Sequence, residues 1–220
     1  MPFRERALSW APGLVVVAFT AVWLLAPSSF VHPDALDDLH RLEVGAPQRT
    51  AWHPLGESAV YVFTLFAKAV SKSTTLLRAV QVWNGTWLSL ALVAIAMLGR
   101  QRKAPPLLTL GVTSALAFNY SALHLARDPY LSDWPPALAL MCAAALASGG
   151  APVLTLLLLT ASACFLPPCL ILAPVLIGVG SGRRATLVVP TAVTRNRSAP
   201  PSSRVISAIS GGGIDTKISA

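Results

Sequence analysis

An all-α fold, a polytopic transmembrane helical bundle with amphipathic in-plane helices in its first outer loop, is the class that three features of this sequence predict. Of its 220 residues, 54% are hydrophobic and only 12% charged, with a mean hydropathy of +0.62, whereas ordinary soluble domains are about 25% charged. Long apolar runs recur, several near the roughly 20 residues that a helix needs to cross the hydrocarbon core. The basic residues, in a chain of net charge +8, fall in short clusters beside those runs, as topology signals do. No basic stripe interleaved with stacking aromatics accompanies them, so nucleic acid is not an expected partner.

The first span is 7–26. Arg4 and Arg6 precede it, which puts the N-terminus in the cytoplasm and His32 outside. A cleaved signal peptide is the rival reading, from the basic start, the apolar run Leu14 to Ala26 and the small residues that follow. Trp10 and Trp23, near the two ends of the run, suit interfacial anchors and favour a span.

Residues 27–75 read as an outer loop. Its first half, HPDALDDLHRLEVG, gathers four carboxylates and two histidines between His32 and Gly45, in a chain with nine Asp plus Glu. Pro33 suits a first helical position, Asp34 the positive helix start, and Gly45 the position just past the end. Ala35, Leu36, Leu39 and Leu42 make one apolar stripe; Asp34, Asp37, Asp38 and Arg41 fall towards the other face. The spacing predicts a helix lying flat on the outer leaflet, with Asp37 and Arg41 as an i,i+4 pair. The second half contains ESAVYVFTLFAKAVSK, apolar over about a dozen residues with Glu57, Lys68 and Lys72 at its ends. That is short for a span and suits a second in-plane helix over 57–70.

Beyond it, 76–98 is a clear crossing closed by Arg100, Arg102 and Lys103, running from outside to inside. Residues 105–125 return outward, HLARDPYLSDW forms a second outer loop, and 134–147 comes back as a short crossing. The stretch 151–180 is uncharged and broken by Pro167, Pro168 and Pro174 before Arg183 and Arg184. It reads as a hairpin of two short helices or as one long helix. Residues 185–220, rich in Ser, Gly and Pro, read as a disordered basic tail. Cys142, Cys164 and Cys169 all sit in apolar runs without a metal-ligand spacing and are expected to be packing residues.

The acidic helix, the later TAWHPLGES (Thr50 to Ser58), an in-plane apolar helix and a span ending in basic residues together resemble the first outer loop of the GT-C membrane glycosyltransferases. The likeness is closest to the protein O-mannosyltransferase-like branch and covers roughly Pro12 to Lys103, the N-terminal membrane module. It implies transfer of a sugar from a polyprenyl-phosphate donor to an acceptor hydroxyl at the outer face, with inversion. By that resemblance Asp34 is the first candidate for the catalytic base, with Asp37 and Asp38 as alternates, while His53 and Arg127 are candidate ligands of the departing phosphate. A divalent metal is left open, and so are the sugar and the acceptor; membrane lipid and a lipid-linked sugar are the implied partners. The expected location is the plasma membrane, multi-pass, with a cytoplasmic N-terminus.

A second reading stands beside the enzyme. Adjacent acidic residues, usual at the family's catalytic point, occur here only at Asp37 and Asp38, and His-Pro-Leu-Gly lacks the family's second proline. The chain would then be a non-catalytic or truncated integral membrane protein, a fragment or an assembly subunit that docks through its acidic outer helix.

Overall fold

The computed structural model describes residues 3–27, 31, 33–48, 54–127, 132–171 and 174, without the side chains of 3–7 and 34. The chain divides into two units, Met1–Ala185 and Thr186–Ala220; the tail expected over 185–220 lies outside the described residues, and all that follows concerns the first unit. Among the described residues there are eight α-helices, one 3-10 helix and no strand. They are α1 (Phe3–Leu25), α2 (Pro33–Glu43), α3 (Gly56–Val70), α4 (Leu76–Gln101), α5 (Pro106–Ala117), α6 (Tyr120–Arg127), α7 (Trp134–Ala147) and α8 (Pro152–Phe165), with the 3-10 turn at Pro167–Ile171.

Local chemistry explains most of these boundaries. Thr75 caps α4, its hydroxyl accepting the Arg78 N–H at 3.2 Å. Prolines occupy the first turns of α5, α7 and α8, where the missing N–H costs nothing. Gly45 ends α2 with φ +72°, and the Ala46 N–H returns to the Arg41 carbonyl at 2.9 Å, the six-to-one bond of a Schellman stop.

Two helices, Leu8–Leu25 and Leu76–Gln101, are long and apolar enough to cross a membrane. A third is reached if α5 and α6, which meet at 51°, count as one broken span. The expected single return over 105–125 is therefore two helices. Asn119 is the cause: its side chain accepts the Ser121 N–H at 2.8 Å and starts α6 anew, while the Phe118 N–H closes α5 on the Ser114 carbonyl. At 14 residues each, α7 and α8 rise about 21 Å, less than the roughly 30 Å core. α8 stops at the Pro167–Pro168 break foreseen in the sequence; the remainder of 151–180 lies almost wholly outside the described residues.

α4 is the hub, packing against α1, α3, α5, α6 and α7, while α8 packs on α7. Arg78 donates to the Leu24 carbonyl at 2.7 Å and Arg100 to the Ser9 carbonyl at 2.5 Å, so α1 and α4 run antiparallel. One apolar cluster joins Phe19 and Trp23 to Leu88, Leu92, Ala117 and Ala126. A second joins Leu42, Val60, Val80 and Trp83 to Ala137 and Phe165. Buried polar side chains sew the helices together: Thr20 and Trp23 to Ser89, Asn84 to the Leu125 carbonyl, and Ser162 to the Ala137 carbonyl. Outward, Leu14 and Val17 of α1, Leu107 and Leu108 of α5, and Val153 and Leu156 of α8 are exposed. Such broad apolar surfaces suit a lipid environment rather than water.

Candidate functional site

α2, α3 and the start of α7 meet at the end of the bundle where α4 begins. The stripe of α2 turns inward, with Ala35 and Leu42 buried and Leu39 packed beside Val60, Val80 and Trp83. Only Leu36 of that stripe is strongly exposed, at 57%. The protein itself, more than a leaflet, thus receives this face. α3 begins where the Leu55 N–H meets the Cys164 carbonyl at 3.0 Å. Two turns later Phe63 still faces Trp83, with ring centroids 5.3 Å apart, and Trp83 is itself bonded to the Ser132 carbonyl at 3.0 Å. α3 therefore starts by crossing the end of the bundle, leaving Val62, Phe66 and Val70 exposed.

Three carboxylates gather here, two of them on Arg41. Its guanidinium grips Glu57 through Nη2 to Oε1 at 2.8 Å and Nε to Oε2 at 3.3 Å, and also donates to Asp38 one turn back. Arg41 therefore pairs with Asp38 and Glu57, and not with Asp37 as its i,i+4 spacing suggested. Glu57, in the first turn of α3 and favoured by the helix dipole, additionally accepts the Gln48 N–H at 2.6 Å. The third carboxylate, Asp133, precedes α7 and lies over Gly56, where an added Cβ would meet its Cγ at 2.9 Å. A side chain at position 56 would push this carboxylate aside.

Burial, then the nearby Glu57 charge, pushes the Asp38 carboxyl above the ordinary carboxylate range; Arg41 opposes this and Asp133 adds to it. Conversely, the hydrogen bond to Glu57 holds the Arg41 proton more tightly. Asp38 keeps 27% of its side chain exposed, so solvent reaches it. A cavity of about 270 Å³ lies between α4, the end of α6, the start of α7 and the 3-10 turn. Leu88, Leu125, Trp134, Leu138 and Met141 are among its lining residues, and Trp134 directly follows Asp133.

The sequence candidates fare unevenly. Asp38 enters the cluster; Asp37, on the same helix, is exposed. Asp34 is the second residue of α2, but its side chain lies outside the described residues, as does the whole of His53. Arg127 ends α6, with its carbonyl accepting Gln81 Nε2 at 2.9 Å and its Nε buried without a hydrogen-bond partner. Glu57 and Asp133 were not among the candidates. Their one sequence signal was membership of the two polar loops expected to lie outside, parts of which the fold brings together. Among the described residues no group of three or more His, Cys, Asp or Glu is arranged to hold a metal ion. Arg41 already engages two of the three carboxylates, so this cluster does not fit a divalent metal.

No protein-family model, no curated protein and no solved structure matches the chain. The functional reading therefore stands on the chain's own chemistry.

Proposed function

We propose that the chain is a multi-pass plasma-membrane protein, N-terminus in the cytoplasm, whose acidic end faces outside and transfers a sugar from a polyprenyl-phosphate donor to an acceptor hydroxyl. The observation that carries the reading is the Asp38 carboxyl, held at raised proton affinity at the head of an apolar bundle; an apolar cavity, walled in part by Trp134, offers room for a lipid chain. A carboxylate so tuned is a stronger base than one in water. Asp38 accepts the acceptor's proton as the acceptor oxygen attacks the anomeric carbon. The bond from that carbon to the phosphate oxygen breaks, its electrons leave with the phosphate, and the anomeric centre inverts. Arg127 Nε, buried without a partner and two residues beyond Leu125 of the cavity wall, suits the charge of the departing phosphate.

Photolabelling with a diazirine-bearing polyprenyl phosphate tests the reading. Adducts are expected at Leu138 and Met141 and are to be competed by unlabelled donor. Asp38→Asn should keep the adducts and lose turnover, whereas Arg127→Gln should weaken both. Absence of competed labelling in the wild-type chain would overturn the reading. One observation favours the alternative, a non-catalytic assembly subunit: Arg41 joins α2 to α3, as a structural clamp would. Under that reading, Arg41→Gln would loosen α2 from α3 without touching any transfer reaction.

A further inference from the structure

At the opposite end of α4, Arg102 closes the helix in a way that leaves its side chain without an internal task. The last carbonyls are satisfied by backbone: Leu98 by the Arg102 N–H at 2.9 Å, Arg100 by the Lys103 N–H at 3.0 Å, and Gly99 by the Ala104 N–H at 2.9 Å. These form a Schellman stop, so the carbonyls of Leu98, Gly99 and Arg100 need no guanidinium. Arg100 is occupied elsewhere, on the Ser9 carbonyl and over the Trp10 ring at 5.1 Å. Arg102 differs: both Nε and Nη2 are buried with no hydrogen-bond partner.

Those two nitrogens share one edge of the guanidinium, the edge whose parallel N–H groups match two oxygens of a phosphate or carboxylate. A charged edge enclosed without an acceptor is costly. Apart from Glu5, whose side chain is not described, every carboxylate of the described residues lies on α2, on α3 or just before α7, towards the other end. A second oddity adjoins it. Lys103 takes the left-handed position of the stop, φ +53°, where glycine is the unstrained choice; strained residues of this kind cluster at binding sites. Its exposed ammonium adds a second positive charge beside the fork.

We propose that Arg102, backed by Lys103, is a binding site for a phosphate oxyanion, supplied by an anionic lipid of the leaflet at this end of the bundle. The Arg102 side chain as a whole is only partly buried, so a small rotation brings its paired N–H groups to a headgroup at the surface.

The test uses the full chain in nanodiscs and reads retained lipid by native mass spectrometry, with phosphatidic acid competing against phosphatidylcholine. A parallel arm titrates inorganic phosphate into detergent-solubilised protein. Wild type should retain phosphatidic acid preferentially. Arg102→Lys, which keeps the charge but loses the paired edge, should lower that preference about tenfold, the effect of one lost charge-assisted hydrogen bond. Lys103→Gly guards against misfolding: it relieves the left-handed strain and should stabilise the protein, yet it should still weaken phosphatidic acid retention. Arg102-dependent binding confined to inorganic phosphate would keep the oxyanion site and reject the lipid source. Equal retention by wild type, Arg102→Lys and Lys103→Gly in both arms would overturn the proposal.

Discussion

Replacing Gly85 by alanine tests the packing that joins the first long helix to the hub. A Cβ at position 85 would lie 2.4–2.6 Å from three ring carbons of Trp23, whereas carbon atoms in contact sit about 3.5–4.0 Å apart. Ring or helix must therefore shift by about 1 Å. Trp23 has little room to yield, being 3% exposed and bonded through Nε1 to Ser89 at 3.2 Å. Overpacking of this kind costs about 1–3 kcal/mol, and losing the Trp23–Ser89 bond adds about 0.5–1.5 kcal/mol. The gain in helix propensity returns up to about 1 kcal/mol, leaving a net loss of about 1–3 kcal/mol. Reversible unfolding in mixed detergent micelles measures it, with Gly111→Ala as control because nothing lies within 4 Å of that Cβ. A double-mutant cycle with Trp23→Leu should show strong coupling, the smaller side chain making room for the new methyl. If Gly85→Ala is as stable as Gly111→Ala, or if the two changes simply add, the close approach of α1 and α4 is wrong.

Four further outcomes follow from the acidic end and the helix order. If Asp38 is the base, the acid limb of kcat/KM lies above the ordinary Asp value of about 3.9; Asp133→Asn removes a raising charge and should move it to lower pH, while Arg41→Gln removes a lowering one and should move it up. The same raised carboxyl binds its proton more tightly folded than unfolded, so stability should rise as pH falls from above its folded value towards the ordinary one, measurable by melting at stepped pH and contradicted by the opposite slope. Arg41→Gln should cost under about 1 kcal/mol, because the ion pairs are partly exposed, yet should speed amide exchange across α2. Cysteines placed at Ser73 and Gln101, at the two ends of α4, in a background lacking Cys142, Cys164 and Cys169, should label from opposite sides of intact cells, and equal labelling would refute the crossing.

What the sequence made legible was local. Pro33 and Gly45 marked α2 to within a residue. The break at Asn119 was hidden because hydropathy averages over a window, whereas a helix is restarted by a single side chain bonding the Ser121 N–H. The partners of Arg41 were also hidden. The i,i+4 rule sees only one helix, and Glu57 reaches Arg41 from sixteen residues away. Asp133 stands further off in sequence, and nothing in its own neighbourhood signals that Gly56 leaves it room. The density of carboxylates between His32 and Gly45 marked the acidic helix in the sequence itself. The distinction between exposed Asp37 and enclosed Asp38 came from packing alone.

On the proposed reading, one half-buried carboxylate at the head of the bundle, Asp38, does chemistry that its exposed neighbour Asp37 does not. The difference is tested most directly by turnover of a radiolabelled polyprenyl-phosphate sugar by the full chain in liposomes, comparing wild type with Asp38→Asn and Asp37→Asn. Transfer should fall about 10²–10⁴-fold in Asp38→Asn, the cost of losing a positioned base, and be unchanged in Asp37→Asn. Full activity in Asp38→Asn, or no transfer by the wild-type chain, would contradict the account.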